Sequence, residues 1–115
     1  MKLMIIYHNP RCSKSRQALQ LLKENGEEPK IVEYLKTPLD ENSLVDLLKK
    51  LKIPAHQLLR TKEDEYSELG LSSQTPEEDI ITAIALNPIL LERPIVVKGR
   101  KALIARPIEL LEDLL

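Results

Sequence analysis

The sequence has one cysteine, no phenylalanine, no tryptophan and three tyrosines. A single cysteine excludes an internal disulfide and a Cys-X-X-Cys pair, and the expected compartment is reducing, the cytoplasm. Without Phe or Trp the core has to be built from Leu, Ile and Val, and little aromatic surface remains for stacking nucleobases. The net charge of -1 supplies neither a basic field for nucleic acid nor a polybasic membrane anchor. No apolar run approaches transmembrane length, and Met1 to Tyr7 is too short an apolar run for a signal peptide. His8 and His56 are the only histidines, so there is no metal-ligand cluster, and no phosphate-binding glycine loop is present. No metal and no bound cofactor are expected. His56 reads as a surface residue without a role. With 115 residues, 43% of them hydrophobic, the chain is large enough for one domain over 1–115 with its own core. A monomer is the expected state.

What is present is concentrated in Tyr7-His8-Asn9-Pro10-Arg11-Cys12-Ser13-Lys14-Ser15-Arg16. An apolar run, Leu3 to Tyr7, precedes it, and a segment with helical spacing (Ala18, Leu19, Leu22) begins near Ser13. A strand that loops into a helix places the loop at the helix N-terminus, where free N–H groups and the positive dipole end favour an anion. A thiol there is expected to be partly ionised. His8, Arg11, Lys14 and Arg16 are four potential cations around Cys12. A lone cysteine is commonly just a buried residue. Here its neighbours are Arg11 and Ser13, with Pro10 two before it, which favours a reactive thiolate.

The rest of the chain reads as strand and helix in turn. The first helix is expected over Ser13 to Asn25, closed by Asn25-Gly26, and a second strand over Lys30 to Leu35. Those pieces form a βαβ unit with parallel strands. Leu44, Leu47, Leu48 and Leu51 mark a helix after the cap at Asp40. Ala55 to Leu59 and Asp64 to Leu69 are expected short helices. Thr75-Pro76-Glu77-Glu78 predicts a capping box with proline at the first helical position, leading a helix to about Leu86. A short turn is expected over Ile89 to Leu91. Ile95 to Val97 and Ala102 to Ala105 predict a hairpin around Lys98-Gly99-Arg100-Lys101. A last helix after Arg106-Pro107 is expected to present Ile108, Leu111 and Leu115 on one face. The order β-α-β, helical block, β-β-α predicts an α/β fold of thioredoxin-like type. It has a mixed four-stranded sheet and a helical insertion over about 40–92. In that layout the proline before the third strand, Pro94, is cis and lies beside the thiol.

Three arginines sit at element ends: Arg60 after a short helix, Arg93 before a strand, Arg106 after a strand. A hairpin of nearly equal strands brings Arg93 and Arg106 to the same end. Guanidinium forks beside a thiolate make an oxyanion site. A phosphatase-type loop is excluded, because the residue six after Cys12 is Ala18.

The stretch Tyr7 to Arg16, Leu58-Leu59-Arg60, Asn87 to Val97 and Ala105-Arg106-Pro107 together resemble the glutaredoxin-linked arsenate reductase family over about residues 4 to 113. The resemblance implies a thioredoxin-like fold with a helical insertion. It implies that Cys12 attacks arsenate, that glutathione joins the arsenic as co-substrate, and that glutaredoxin resolves the adduct and arsenite leaves. By the same resemblance Arg60, Arg93 and Arg106 hold the oxyanion, and His8 and Ser15 help keep the thiol ionised. The lack of a second cysteine agrees with a resolving thiol from another molecule. Ser13-Lys14 departs from the Gly-Thr of the best-known members, and Lys14 reads as exposed. Two alternatives stay open: a glutathione-linked thiol oxidoreductase acting on another substrate, and a non-enzymatic binding regulator similar to the Spx proteins. The second lacks the usual switch, since Ser15 stands where those proteins carry their second cysteine.

Overall fold

A computed structural model describes residues 3–115. The chain divides into two compact units: Met1–Thr37 with Arg93–Leu115, and Pro38–Glu92. Met1 and Lys2, where the expected domain begins, lie outside the described residues.

The first unit is a four-stranded mixed sheet, thioredoxin-like, with strand order β2-β1-β3-β4. β1 (Met4–His8) and β2 (Lys30–Glu33) are parallel and joined by α1 (Ser13–Glu24), as a βαβ crossover requires. β3 (Ile95–Lys98) and β4 (Lys101–Ile104) form an antiparallel hairpin, with β3 also antiparallel to β1. The expected four-residue turn is tighter in the structure. Lys98 pairs with Lys101, leaving a two-residue loop. Gly99 opens it at φ +62°, as a II′ turn requires of its first residue.

β1 alternates buried and half-buried, so Met4, Ile6 and His8 share one face. Ser15, Ala18 and Leu22 recur at helical spacing along the buried stripe of α1. Met4, Ile6, Ala18 and Leu22 form a core with Val96, Ala105, Leu111 and Leu114. Asn25 caps α1, and Gly26 at φ +79° turns the chain away. The last helix is a 3₁₀ helix, Ile108–Leu114, rather than the α-helical face expected. Three residues per turn align Ile108, Leu111 and Leu114, and leave Leu115 43% exposed. Lys98 Nζ ties its end down, 2.9 Å from the Leu114 carbonyl and 3.4 Å from Glu27 Oε1.

The second unit is helical: α2 (Glu41–Leu51), α3 (Asp64–Glu68), α4 (Glu77–Leu86), and 3₁₀ turns at Ala55–Leu58 and Pro88–Leu90. Asp40 caps α2 by accepting from Ser43 N–H at 2.8 Å, which lowers its carboxyl pKa. α4 packs on α2 and on both 3₁₀ turns. The capping box expected at Thr75 does not form. Pro76 is the N-cap and no side chain caps α4. Thr75 Oγ1 accepts from Ser72 N–H at 2.9 Å, and Glu77 Oε1 reaches across to Ala55 N–H at 2.9 Å. The Thr75 hydroxyl that a capping box would use is taken by the local turn at Ser72. His56, expected on the surface, is half-buried, with its Nε2 fully enclosed.

The 3₁₀ register predicts unequal effects at the C-terminus. Leu111→Ala is expected to destabilise the fold by about 2–5 kcal/mol in urea unfolding, and Leu115→Ala by less than about 0.5 kcal/mol. Equal losses would refute this packing.

Candidate active site

Leaving β1, the chain has four residues in which to enter α1. Asn9-Pro10-Arg11-Cys12 is a turn closed by Cys12 N–H on the Asn9 carbonyl at 3.0 Å. Asn9 at the first position and Pro10 at the second suit such a turn. Asn9 Oδ1 accepts from Arg11 N–H at 3.0 Å, and Arg16 Nη1 donates to the Pro10 carbonyl at 2.9 Å. Cys12 itself is the N-cap of α1, with extended backbone (φ -94°, ψ 120°) and no side chain capping the helix. Its thiol is free and 9% exposed. The first-turn N–H groups and the dipole put positive potential at that sulfur.

Ser15, fully buried, holds the turn from below. Its Oγ is 2.6 Å from His8 Nδ1 and accepts from Asn9 N–H at 3.1 Å. Burial pushes the His8 imidazole below its ordinary value of 6.5; Glu33 opposes this, and Arg16 and Lys23 add to it. Burial therefore shifts His8 toward its neutral form. Arg16 is occupied by the Pro10 carbonyl, and Arg11 and Lys14 are exposed.

The cation that reaches the sulfur comes from the other end of the sequence. Arg106 Nη2 is 3.9 Å from Cys12 Sγ. The hairpin register continues past its strands, with Ala105 N–H on the Pro94 carbonyl at 2.9 Å, so Arg93 and Arg106 face each other. Arg106 Nε donates to the Arg93 carbonyl, which fixes the guanidinium plane. The Arg93 side chain has its Nε and Nη1 buried. Both Arg93-Pro94 and Arg106-Pro107 are cis; only the first was expected.

Arg60 belongs to the second unit. An antiparallel bridge between Leu59 and Leu91 holds its segment, with Arg60 N–H on the Leu90 carbonyl at 2.8 Å. Its guanidinium meets Glu63 at 2.7 Å and Glu92 at 3.9 Å. The structure thus brings Cys12 to Arg106, Arg106 to Arg93, and His8 to Ser15. Sequence reasoning gave Asn9, Glu63 and Glu92 no role. An Asn-Pro turn signal and a Glu three residues after Arg60 were the traces of the first two. Among the described residues no group of three His, Cys, Asp or Glu side chains is placed to hold a metal ion. No helix among them is long and apolar enough to cross a membrane.

A thioredoxin-like sheet whose first helix is capped by a solitary thiol, with an arginine against the sulfur, defines a thiol protein built to receive an anion. The ArsC family model matches residues 7–114, and the chain belongs to the ArsC family. It is 48% identical over 112 residues to the arsenate reductase of Neisseria meningitidis serogroup A, covering 96% of each chain. It is 58% identical over 106 residues to the uncharacterized protein YfgD of Escherichia coli K12, covering 90% of this chain and 89% of that one. The solved arsenate reductase from Vibrio cholerae superposes with a TM-score of 0.95 at 39% identity, covering 99% of this chain and 98% of that one.

The lowered pKa of His8 predicts a pH effect. Its folded pKa lies below 6.5, so as pH falls the unfolded chain takes up the proton first. Stability from this group is full above 6.5 and is lost as pH falls below it toward the folded value. Urea unfolding between about pH 8 and pH 5 should show a steeper loss in the parent than in His8→Asn. Parallel pH profiles would rule this out.

Proposed function

We propose that the protein is an arsenate reductase in which Cys12 is the nucleophile and Arg106 the principal oxyanion contact. The observation that carries this is the 3.9 Å approach of Arg106 Nη2 to Cys12 Sγ at the N-terminus of α1, in a chain of the ArsC family. Relatives that carry the name arsenate reductase cover nearly the whole chain.

The chemistry follows from the geometry. A thiolate is a soft nucleophile suited to arsenic, but it has to approach an anion. Arg106 and the first-turn N–H groups supply positive potential where that repulsion arises. Cys12 sulfur attacks the arsenic of arsenate, an oxygen leaves as water, and a Cys12–As(V) bond forms. Glutathione, as co-substrate, adds to the arsenic with loss of a second water. The glutaredoxin thiolate attacks the glutathione sulfur and breaks the sulfur–arsenic bond. That electron pair stays on arsenic, which becomes As(III), while two thiols become one mixed disulfide. Water then releases arsenite and restores Cys12. The second and third thiols come from other molecules, because Cys12 is the only one in the chain.

Arg93 acts through its carbonyl, which orients Arg106, and its side chain is assigned to the oxyanion set. Arg60 is given the same role on the family pattern at Leu58-Leu59-Arg60. Ser15 and His8 are positioning residues. Ser15 Oγ joins the His8 ring to the Asn9 backbone and so fixes the turn that delivers the thiol. The expected setting is a monomer in the cytoplasm.

Arsenite formation with glutathione and glutaredoxin tests the proposal. Cys12→Ser is expected to abolish turnover. Arg106→Ala should lower kcat/KM for arsenate by about 10²-fold, the usual scale for one oxyanion donor. Arg106→Lys should recover only part, because lysine lacks the fork that also holds the Arg93 carbonyl. A parent enzyme that forms no arsenite under these conditions would refute arsenate as substrate.

A further inference from the structure

Beside the thiol lies a cleft of about 270 Å³ lined by Lys14, Ala105, Arg106, Pro107, Ile108 and Glu109. Arg106 forms its wall toward Cys12, since the same guanidinium that lines the cleft reaches the sulfur. Lys14 stands in the first turn of α1 and Glu109 in the first turn of the 3₁₀ helix, and both are exposed. They carry opposite charges into one cleft, and no ion pair among the described residues joins them. The cleft therefore offers one ammonium and one carboxylate, each able to take a partner of the other sign.

We propose that this cleft binds the zwitterionic γ-glutamyl end of glutathione, with Lys14 receiving its α-carboxylate and Glu109 its α-ammonium group. This rests on the reading of the site as an arsenate reductase served by glutathione. An α-amino acid head presents a carboxylate and an ammonium on one carbon, which is the charge pattern that Lys14 and Glu109 complement. Arg106 both lines the cleft and reaches the Cys12 sulfur, so a head held there keeps the glutathione thiol near arsenic on Cys12. The side chain that reaches the Cys12 sulfur is Arg106, not Lys14 or Glu109. They set which thiol is accepted, and act on its binding rather than on the first chemical step.

Steady-state kinetics separate the two roles. Lys14→Ala and Glu109→Ala should each raise KM for glutathione about two- to fivefold, the scale of one exposed charge pair. KM for arsenate, and kcat at saturating glutathione, should stay at the parent value. Lys14→Arg should restore the parent KM. Glutaryl-cysteinyl-glycine, which lacks only the α-ammonium group, should be a poorer thiol for the parent and equally good for parent and variant once Glu109 is alanine. Arsenite formation with an unmoved KM for glutathione in both variants would overturn the cleft assignment and leave the arsenate reductase reading standing. If the parent forms no arsenite, that reading fails. Binding of unreactive S-methylglutathione, followed by NMR, then decides the cleft alone. Shifts at Lys14, Ile108 and Glu109 that vanish in Lys14→Ala would uphold it, and their absence would overturn it.

Discussion

The hydroxyl of Ser15 is the constraint on which the site depends. Along the face that β1 shows to α1, Met4 and Ile6 meet an apolar stripe, and the next residue of that face is His8. A histidine in that position has to find a partner, because an unpaired buried polar group costs about 1–3 kcal/mol. Ser15, one turn into the helix, supplies it and also accepts the Asn9 N–H. Strand end, turn and helix start are locked through one oxygen atom. The Cys12 backbone is set by that lock, and with it the direction in which the thiol leaves the helix N-terminus.

A second constraint acts from the hairpin. Register in an antiparallel pair has period two, so a slip of one residue would turn the Arg106 side chain to the other face. The two-residue loop at Gly99-Arg100 fixes that register, and the Ala105–Pro94 hydrogen bond carries it past the strand ends. The Arg93 carbonyl then holds the guanidinium in plane. An arginine held by its own backbone neighbourhood loses little freedom when an anion arrives, which is the economy of a preorganised oxyanion site. Arg60 has a different support. Its two carboxylate partners, Glu63 and Glu92, hold the guanidinium within the helical unit.

Much of this is legible in the sequence. An apolar run marks β1, helical spacing marks α1 and α2, and the change of period at Arg93 marks the hairpin. The solitary cysteine between Arg11 and Ser13 marked the site. The differences have separate physical causes. At Thr75 the local sequence favours a capping box, yet its hydroxyl accepts from Ser72 N–H in the preceding turn and Pro76 takes the N-cap position. At the C-terminus α-helical spacing pointed to Leu115, while contact with the core selects a 3₁₀ register and buries Leu114. At His8 the sequence marks a potential cation, and burial, which the sequence does not display, lowers its pKa.

The sequence by itself determined the order of elements, the single thiol at a helix start and the dependence on thiols from elsewhere, because these follow from spacing, capping and residue count. Only the tertiary structure decided which cation meets the sulfur. Arg11, Lys14 and Arg16 are close to Cys12 along the chain, but helix geometry and the Pro10 carbonyl direct them elsewhere or into solvent. Arg106 is ninety-four residues away and arrives through sheet register. The near-equal hairpin strands already bring Arg93 and Arg106 to one end, but which guanidinium meets the sulfur is set by the pairing of strands in space.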